Sequence, residues 1–135
     1  MSFNEHLSGQ LKKKFSDYAN KGSVEVIALA TADGFPIYTL NKVNSSFEED
    51  SLSAAASTLH SVSNAVAQQI LGKRFKVTFI EAEQGNVAFI SIQLNGSDYV
   101  LVMSAKSDMN IASLRLLINR LANEIGDLKP EAASA

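Results

Sequence analysis

The chain has 135 residues, of which 46% are hydrophobic and 19% charged, with a formal net charge of −2 and no cysteine. This composition is typical of one globular domain that can bury a core, and it excludes disulfides and cysteine-based zinc sites. The weakly acidic charge gives no overall basic field for nucleic acid. The N-terminal residues carry no apolar signal core, and no apolar run approaches membrane-spanning length, so we expect a cytoplasmic protein without membrane insertion.

The N-terminal third of the sequence predicts a helix followed by a β-hairpin. Apolar residues at helical spacing predict the helix over Glu5–Ala19. Asp33-Gly34 then joins two apolar runs, 24–31 and 35–40, and supplies the positive φ angle that a tight hairpin needs. Pro36 lacks an amide donor, so we expect its strand to lie at a sheet edge. The apolar stripe of the helix consists of Leu7, Leu11, Phe15 and Tyr18.

The central helix is the most unusual predicted element. Ser46 and Glu49 form a capping box, and the helical pattern runs to about Leu71 and stops at Gly72. The side predicted to face the core consists of Leu52, Ala55, Ala56, Leu59, Ser63, Val66 and Ile70. The opposite side is small and neutral and consists of Ala54, Ser57, Thr58, Ser61, Ala65 and Gln68.

Residues 51–72 carry no charge, although a free surface helix normally has Lys or Glu on its outer side. Two interpretations remain open. Other elements of the same domain cover the neutral side, or a second chain covers it. We favour the second chain, because small side chains allow another backbone to approach closely.

The C-terminal half predicts a three-stranded meander and a last helix. The apolar runs 75–82, 87–94 and 99–104 are joined by turn signals at residues 84–86 and 95–97. Asn110 is a predicted N-cap, and Gly126 is expected to end the helix. We therefore predict one domain over residues 4–126 and a flexible tail over 127–135. The buried stripe of this helix is expected to comprise Ile111, Leu114, Ile118, Leu121 and Ile125.

The strand predicted over 75–82 has basic residues at one end and acidic residues at the other. Such a strand can pair antiparallel with a copy of itself, and registers centred on Val77 or Thr78 would place Lys73 opposite Glu81 or Glu83. Each exposed pair contributes only a few tenths of a kcal/mol, so the charges select a register and do not drive assembly. The alternative is that these charges simply protect an edge strand from aggregation.

Three segments together carry a family resemblance: the hairpin at 26–37, the alanine- and serine-rich helix after it, and residues 109–115. Over roughly residues 4–126 the chain resembles the Roadblock/dynein light chain domain family, whose bacterial members include partners of Ras-like GTPases. The resemblance implies an α+β fold, with the middle helix on one face of a five-stranded antiparallel sheet and the terminal helices on the other. It also implies a homodimer formed through the third strand and the middle helix.

No catalytic, cofactor-binding or metal-binding residue is predicted. The two histidines, His6 and His60, belong to no cluster with metal-ligand spacing, and the sequence has neither a phosphate loop nor a nucleophile elbow. Lys73, Arg74 and Lys76 form a small basic patch without interleaved aromatics, which is a poor footprint for nucleic acid. Composition and motifs thus favour a protein that binds other proteins.

The leading hypothesis, which rests on the resemblance and the neutral helix side, is a non-enzymatic homodimeric regulator or scaffold of a Ras-like small GTPase. The alternatives are a structural adaptor in a motor-like or signalling assembly and, less favoured, a small-ligand sensor. The predicted dimer interface comprises Ala54, Ser57, Ser61, Ala65, Lys73, Phe75, Val77, Thr78, Phe79 and Glu81. The predicted GTPase-docking residues are Ser57, His60, Ser61, Asn64 and Gln68. Exposed arginines that could act as an inserted finger are Arg74 and Arg115.

Overall fold

The computed structural model describes residues 5–43 and 47–128, and its elements follow the predicted order of helix, hairpin, helix, meander and helix. In chain order they are α1 (Glu5–Ala19), β1 (Val24–Thr31), β2 (Pro36–Asn41), α2 (Glu49–Leu71), β3 (Val77–Ala82), β4 (Gly85–Leu94), β5 (Ser97–Lys106) and α3 (Ile111–Gly126). The predicted domain limits stay a prediction, since residues 129–135 lie outside the described part and Leu128 still packs against the core.

The strands form one antiparallel sheet in the order β2-β1-β5-β4-β3. The apolar stripes of α1 and α3 are buried on one face of this sheet, and α2 covers a smaller cluster on the other. The predicted α+β fold is therefore confirmed, as is the edge position of the strand that carries Pro36. On the outside of the larger layer, Glu124 of α3 accepts hydrogen bonds from Tyr18 and Lys14 of α1.

The glycines of the two β-turns in the meander have different roles. Asn95 and Gly96 both have positive φ, at 51° and 80°, as a tight hairpin requires. Gly85 does not have a positive φ, and it lies within β4, directly after the turn. A Cβ at residue 85 would lie 2.6 Å from the carbonyl oxygen of Ala105, so glycine is needed there for a close backbone approach.

Three predicted element ends differ from the structure. The capping box is not seen, because Ser46 lies outside the described residues and Glu48 occupies the N-cap without a side-chain hydrogen bond. The third strand begins at Val77, two residues after its predicted start at Phe75, because the amide of Phe75 donates to Asn64 Oδ1 at 3.1 Å. Gly126 remains helical. The predicted caps at Asn110 and Gly72 are confirmed, the former accepting from Ser113 N and the latter having a left-handed φ of 64°.

The predicted core face of α2 is partly wrong. The fully buried residues of this helix are Ser53, Ala56 and His60. Val66 and Ile70, assigned to the core from hydropathy, are 51% and 75% exposed. The buried line is instead made of small and polar side chains, which let α2 lie close to alanine and valine residues of β1 and β5. The helical projection was therefore wrong in predicting that the side of α2 with Val66 and Ile70 faces the core.

Candidate functional site

α2 has two exposed flanks of opposite character. The polar flank consists of Ala54, Ser57, Ser61, Asn64, Ala65 and Gln68, and it lies beside the β1–β2 turn and residue 98. The apolar flank consists of Val62, Val66 and Ile70, and it lies beside Phe75 and Thr78 at the β3 edge. Because the flanks lie on different sides of one helix, each can contact a different partner.

A depression of about 570 Å³ lies along the polar flank. Four of the five predicted docking residues line it together with Ala32, Ala65, Arg74 and Asp98; these four are His60, Ser61, Asn64 and Gln68. The fifth, Ser57, lies one turn earlier, where its hydroxyl donates to the carbonyl oxygen of Ala32 at 2.5 Å. The structure therefore brings the predicted docking residues into one continuous region.

His60 is the buried polar group of this region. Its side chain is 5% exposed, and its Nε2 lies 3.0 Å from Ser91 Oγ. Its ring packs edge-on against the ring of Phe75, with 5.3 Å between the two ring centroids. Burial lowers the pKa of His60, and Arg74 acts in the same direction, while Asp98 opposes them. The imidazole is consequently favoured in its neutral form at the floor of the depression.

Arg74 and Asp98 close the far side of the depression. Arg74 Nη2 lies 3.2 Å from Asp98 Oδ2, and Gln93 Nε2 donates to Asp98 Oδ1 at 3.0 Å. These contacts, first that of Gln93 and then that of Arg74, hold the pKa of Asp98 below its usual value. The guanidinium of Arg74 is therefore engaged within its own chain, which does not favour the hypothesis that it is an inserted finger.

The apolar flank borders a shallow groove of about 420 Å³. Ser63 Oγ and Thr78 Oγ1 lie 2.7 Å apart and join α2 to β3 there. Ile80, two residues after Thr78 and on the same face of the sheet, is also exposed. Exposed apolar side chains thus continue from α2 onto the edge strand, and contiguous apolar surface of this kind marks protein interaction sites.

The predicted dimer-interface residues fall into two separate groups. Ala54, Ser57, Ser61 and Ala65 lie on the polar flank, with Ala54, Ser61 and Ala65 exposed. The β3 group lies at the opposite sheet edge from the β1–β2 hairpin. In this second group Phe75, Val77, Thr78 and Phe79 are half-buried, and Lys73 and Glu81 are exposed.

Sequence reasoning missed the apolar flank as an exposed surface. Val62, Val66 and Ile70 recur every four residues, which is also the pattern of a buried helix stripe. Among the described residues, no group of histidines and acids could hold a metal ion, and none of the described helices is long and apolar enough to cross a membrane.

Solved structures with this fold are similar over nearly the whole chain. One is "MglB with tetrameric arrangement", with a TM-score of 0.82, 12% identity, and coverage of 93% of this chain and 92% of that one. Another is Myxococcus xanthus MglB, with a TM-score of 0.80, 15% identity, and coverage of 96% and 98%. A third is the gliding protein MglB from Thermus thermophilus, with a TM-score of 0.80, 12% identity, and coverage of 93% of both chains.

At these identities the solved structures establish the fold. No curated protein sequence matches the chain. The family model described as Roadblock/LC7 domain matches residues 11–105, which span most of α1, the strands β1 to β4, α2 and all but the last residue of β5. The hairpin, the alanine-rich helix and the meander that carry this match are the elements that build both flanks of α2. The chain therefore belongs to the Roadblock/LC7 family.

Proposed function

We propose that this protein is a non-enzymatic, homodimeric regulator or scaffold of a Ras-like small GTPase. The observation that carries the proposal is the division of α2 into an apolar flank beside a sheet edge and a polar flank with a preformed depression. Membership of the Roadblock/LC7 family and the likeness to MglB structures support a role as a regulatory partner. One flank is available for self-association and the other for the GTPase.

The dimer is proposed to form through the apolar flank and β3. Within the sheet β3 is an edge strand, so its outer backbone groups can pair with a second copy. Because β3 spans Val77–Ala82, a two-fold register centred on Phe79 or Ile80 keeps the paired residues inside the strand. Such pairing would bring two α2 helices side by side and cover Val66 and Ile70. We expect this dimer at micromolar concentration or below.

GTPase docking is proposed on the polar flank. Ser61 and Gln68 are exposed there, and Asn64 and His60 line the same depression. The flank offers hydroxyl and amide groups without a net charge from α2 itself, which suits a polar and hydrogen-bonded interface. In the proposed dimer both polar flanks stay accessible, since they lie on the side of α2 away from the apolar flank.

The test is a pull-down with nucleotide-loaded small GTPases of the same organism, followed by measurement of GTP hydrolysis with and without this protein. Gln68→Arg should weaken binding about tenfold or more, because it places a long charged side chain in the depression. Asn123→Arg, an exposed change on α3, is the matched control and should bind as wild type. Both variants should stay folded and dimeric, since exposed substitutions usually change stability by under about 0.5 kcal/mol.

Two results would count against this assignment in different ways. Undiminished binding by a folded, dimeric Gln68→Arg variant would place the docking site elsewhere on the protein. If no small GTPase of the organism binds wild-type protein, the adaptor hypothesis replaces the regulatory one, and the apolar flank would then serve assembly into a larger complex.

A further inference from the structure

The depression on the polar flank is lined by one ion pair on an otherwise uncharged surface. Arg74 and Asp98 form the pair, and the other described residues of the lining are alanines, uncharged polar residues and His60, which is favoured in its neutral form. Residues 51–72 carry no charge either. The pair is therefore the feature by which this surface can distinguish partners, because electrostatic complementarity contributes strongly to specificity.

The backbone that carries Arg74 is attached to α2 on both sides. The amide of Gly72 donates to the carbonyl oxygen of Gln68 at 3.0 Å, in the left-handed cap of the helix. The amide of Phe75 donates to Asn64 Oδ1 at 3.1 Å. The short segment between α2 and β3 is thus held at both ends by the same helix, which places Arg74 beside the depression.

The guanidinium of Arg74 is oriented as well. Arg74 Nη2 lies 3.2 Å from Asp98 Oδ2. Asp98 is itself held, since Gln93 Nε2 donates to its Oδ1 and the amide of Ala32 donates to its backbone carbonyl oxygen, both at 3.0 Å. A guanidinium has five N–H donors in a planar fork, so Arg74 keeps donors for a second acceptor. Its side chain is 46% exposed, and a partner can reach them.

The charges around Arg74 favour an anion as that second acceptor. Lys73 and Lys76 are both exposed and flank Arg74 in the sequence. Because Asp98 balances the charge of Arg74, the two lysines leave this group of side chains with a net positive charge. A carboxylate matches the guanidinium fork in both charge and shape. Arginines that are held in place before binding are typical hot spots, because less side-chain entropy is lost on association.

We propose that Arg74 is the ionic anchor of GTPase docking and binds a carboxylate on the surface of the partner, while Asp98 holds the guanidinium in place. The proposal rests on the function assigned above and adds the chemistry that this surface selects, an acidic side chain. The contact differs from an inserted finger, because it lies at the docking surface and not at the nucleotide. A second copy of this chain is not the occupant, because the proposed dimer uses the apolar flank on the other side of α2.

The test titrates Arg74→Ala and Arg120→Ala against the GTPase that wild-type protein captures. Arg120 lies on α3 and is also exposed, so its loss changes the net charge equally on the other face of the sheet. Arg74→Ala should weaken binding about tenfold or more, and its affinity should fall less steeply with salt than that of wild type. Arg120→Ala should match wild type in both respects. Circular dichroism and sedimentation should show wild-type folding and dimerisation for both variants, since exposed ion pairs contribute little stability.

Two further measurements separate the anchor from other roles of Arg74. Arg74→Lys should keep the salt dependence and weaken binding by a smaller factor, about threefold, because the ammonium keeps the charge but not the fork. For a GTPase whose hydrolysis is stimulated, Arg74→Ala should raise the concentration needed for half-maximal stimulation and leave the saturating rate unchanged. A lower saturating rate with unchanged affinity would assign Arg74 to the nucleotide and overturn the anchor.

The remaining outcomes distinguish the anchor from the regulatory function. Equal affinities of Arg74→Ala and wild type, or equal losses in Arg74→Ala and Arg120→Ala, would overturn the anchor and leave the regulatory function in place. A loss in Arg74→Ala with the salt dependence of wild type would overturn the carboxylate as its partner. Absence of any GTPase binding by wild-type protein would overturn both proposals.

Discussion

The burial of His60 makes the stability of the folded chain depend on pH. Its folded-state pKa lies below the usual value of 6.5, first because of burial and then because of Arg74, with Asp98 opposing. Between the folded-state pKa and the ordinary value, which applies to the unfolded chain, the unfolded chain binds more protons than the folded one. The free energy of unfolding therefore rises with pH in that interval. The contribution is fully present above about pH 6.5 and is lost as the pH falls through the folded-state value.

We therefore predict that the wild-type protein melts at a lower temperature at pH 5.5 than at pH 7.5, and that His60→Gln flattens this difference. The glutamine amide can still hydrogen-bond near Ser91 but does not titrate. His6→Gln, which removes the other histidine of the sequence, is the control and should retain the pH dependence. Differential scanning fluorimetry across this range measures the effect, and an unchanged slope in His60→Gln would assign it to another group.

Single residues were predictable from sequence where the requirement is local. The cap at Asn110 and the positive φ at Gly96 follow from short-range backbone geometry, so composition and spacing were enough to find them. Gly85 and Asn64 depend on partners distant in the chain, Ala105 and Phe75 respectively. Because Asn64 holds the entry to β3, a substitution there would disturb the fold as well as docking, and exposed Gln68 is the cleaner probe.

Substitutions on the two flanks of α2 are predicted to have opposite effects on the dimer. If the apolar flank forms the dimer seam, Ile70→Glu should weaken the dimer more than a hundredfold, because a buried unpaired carboxylate costs about 3 kcal/mol or more. Ser61→Glu, on the polar flank, should leave the dimer intact. Ile70 is 75% exposed in the single chain, so its substitution should leave each protomer folded.

Sedimentation velocity over a concentration series distinguishes the two candidate dimer interfaces, which are the apolar flank and the polar flank of α2. The sequence alone favoured Ser61 as part of the interface, because the small neutral side of α2 carries no charge. A dimer broken by Ser61→Glu and tolerant of Ile70→Glu would support that original seam, with Ala54, Ser57 and Ala65 beside it. A monomeric wild-type protein at high concentration would remove the basis for either seam.

Element types and order could be read from the sequence because the turn signals are strong and the helical stripes long. α1 and β1 have their predicted bounds, since the apolar pattern of each element ends where the chain leaves the core. The orientation of α2 could not be read in this way. Its buried line is made of Ser53, Ala56 and His60, which hydropathy ranks below the exposed Val66 and Ile70.

At the level of the whole molecule, the arrangement supports one polypeptide with two separate interaction surfaces. The sheet order places the β1–β2 hairpin at one edge and β3 at the other, and α2 is hydrogen-bonded to both, to Ala32 through Ser57 and to Thr78 through Ser63. Dimerisation at the β3 edge would leave the hairpin tip and the polar flank of each protomer exposed. Regulation of a partner then requires no catalytic residue in this chain, because binding alone can order the groups of the GTPase.

We predict that the protein alone neither binds nor hydrolyses GTP, yet changes the hydrolysis rate of its cognate GTPase. The motivation is that the sequence has no phosphate loop of the Gly-x-x-x-x-Gly-Lys-Ser/Thr type. Fluorescent-GTP titration should show no saturable binding to this protein, and phosphate release should depend on both proteins together. The Gln68→Arg variant is the control, because the rate should return towards that of the isolated GTPase. Saturable GTP binding by this chain alone would contradict the prediction, and binding without a change in rate would reduce the role to that of a scaffold.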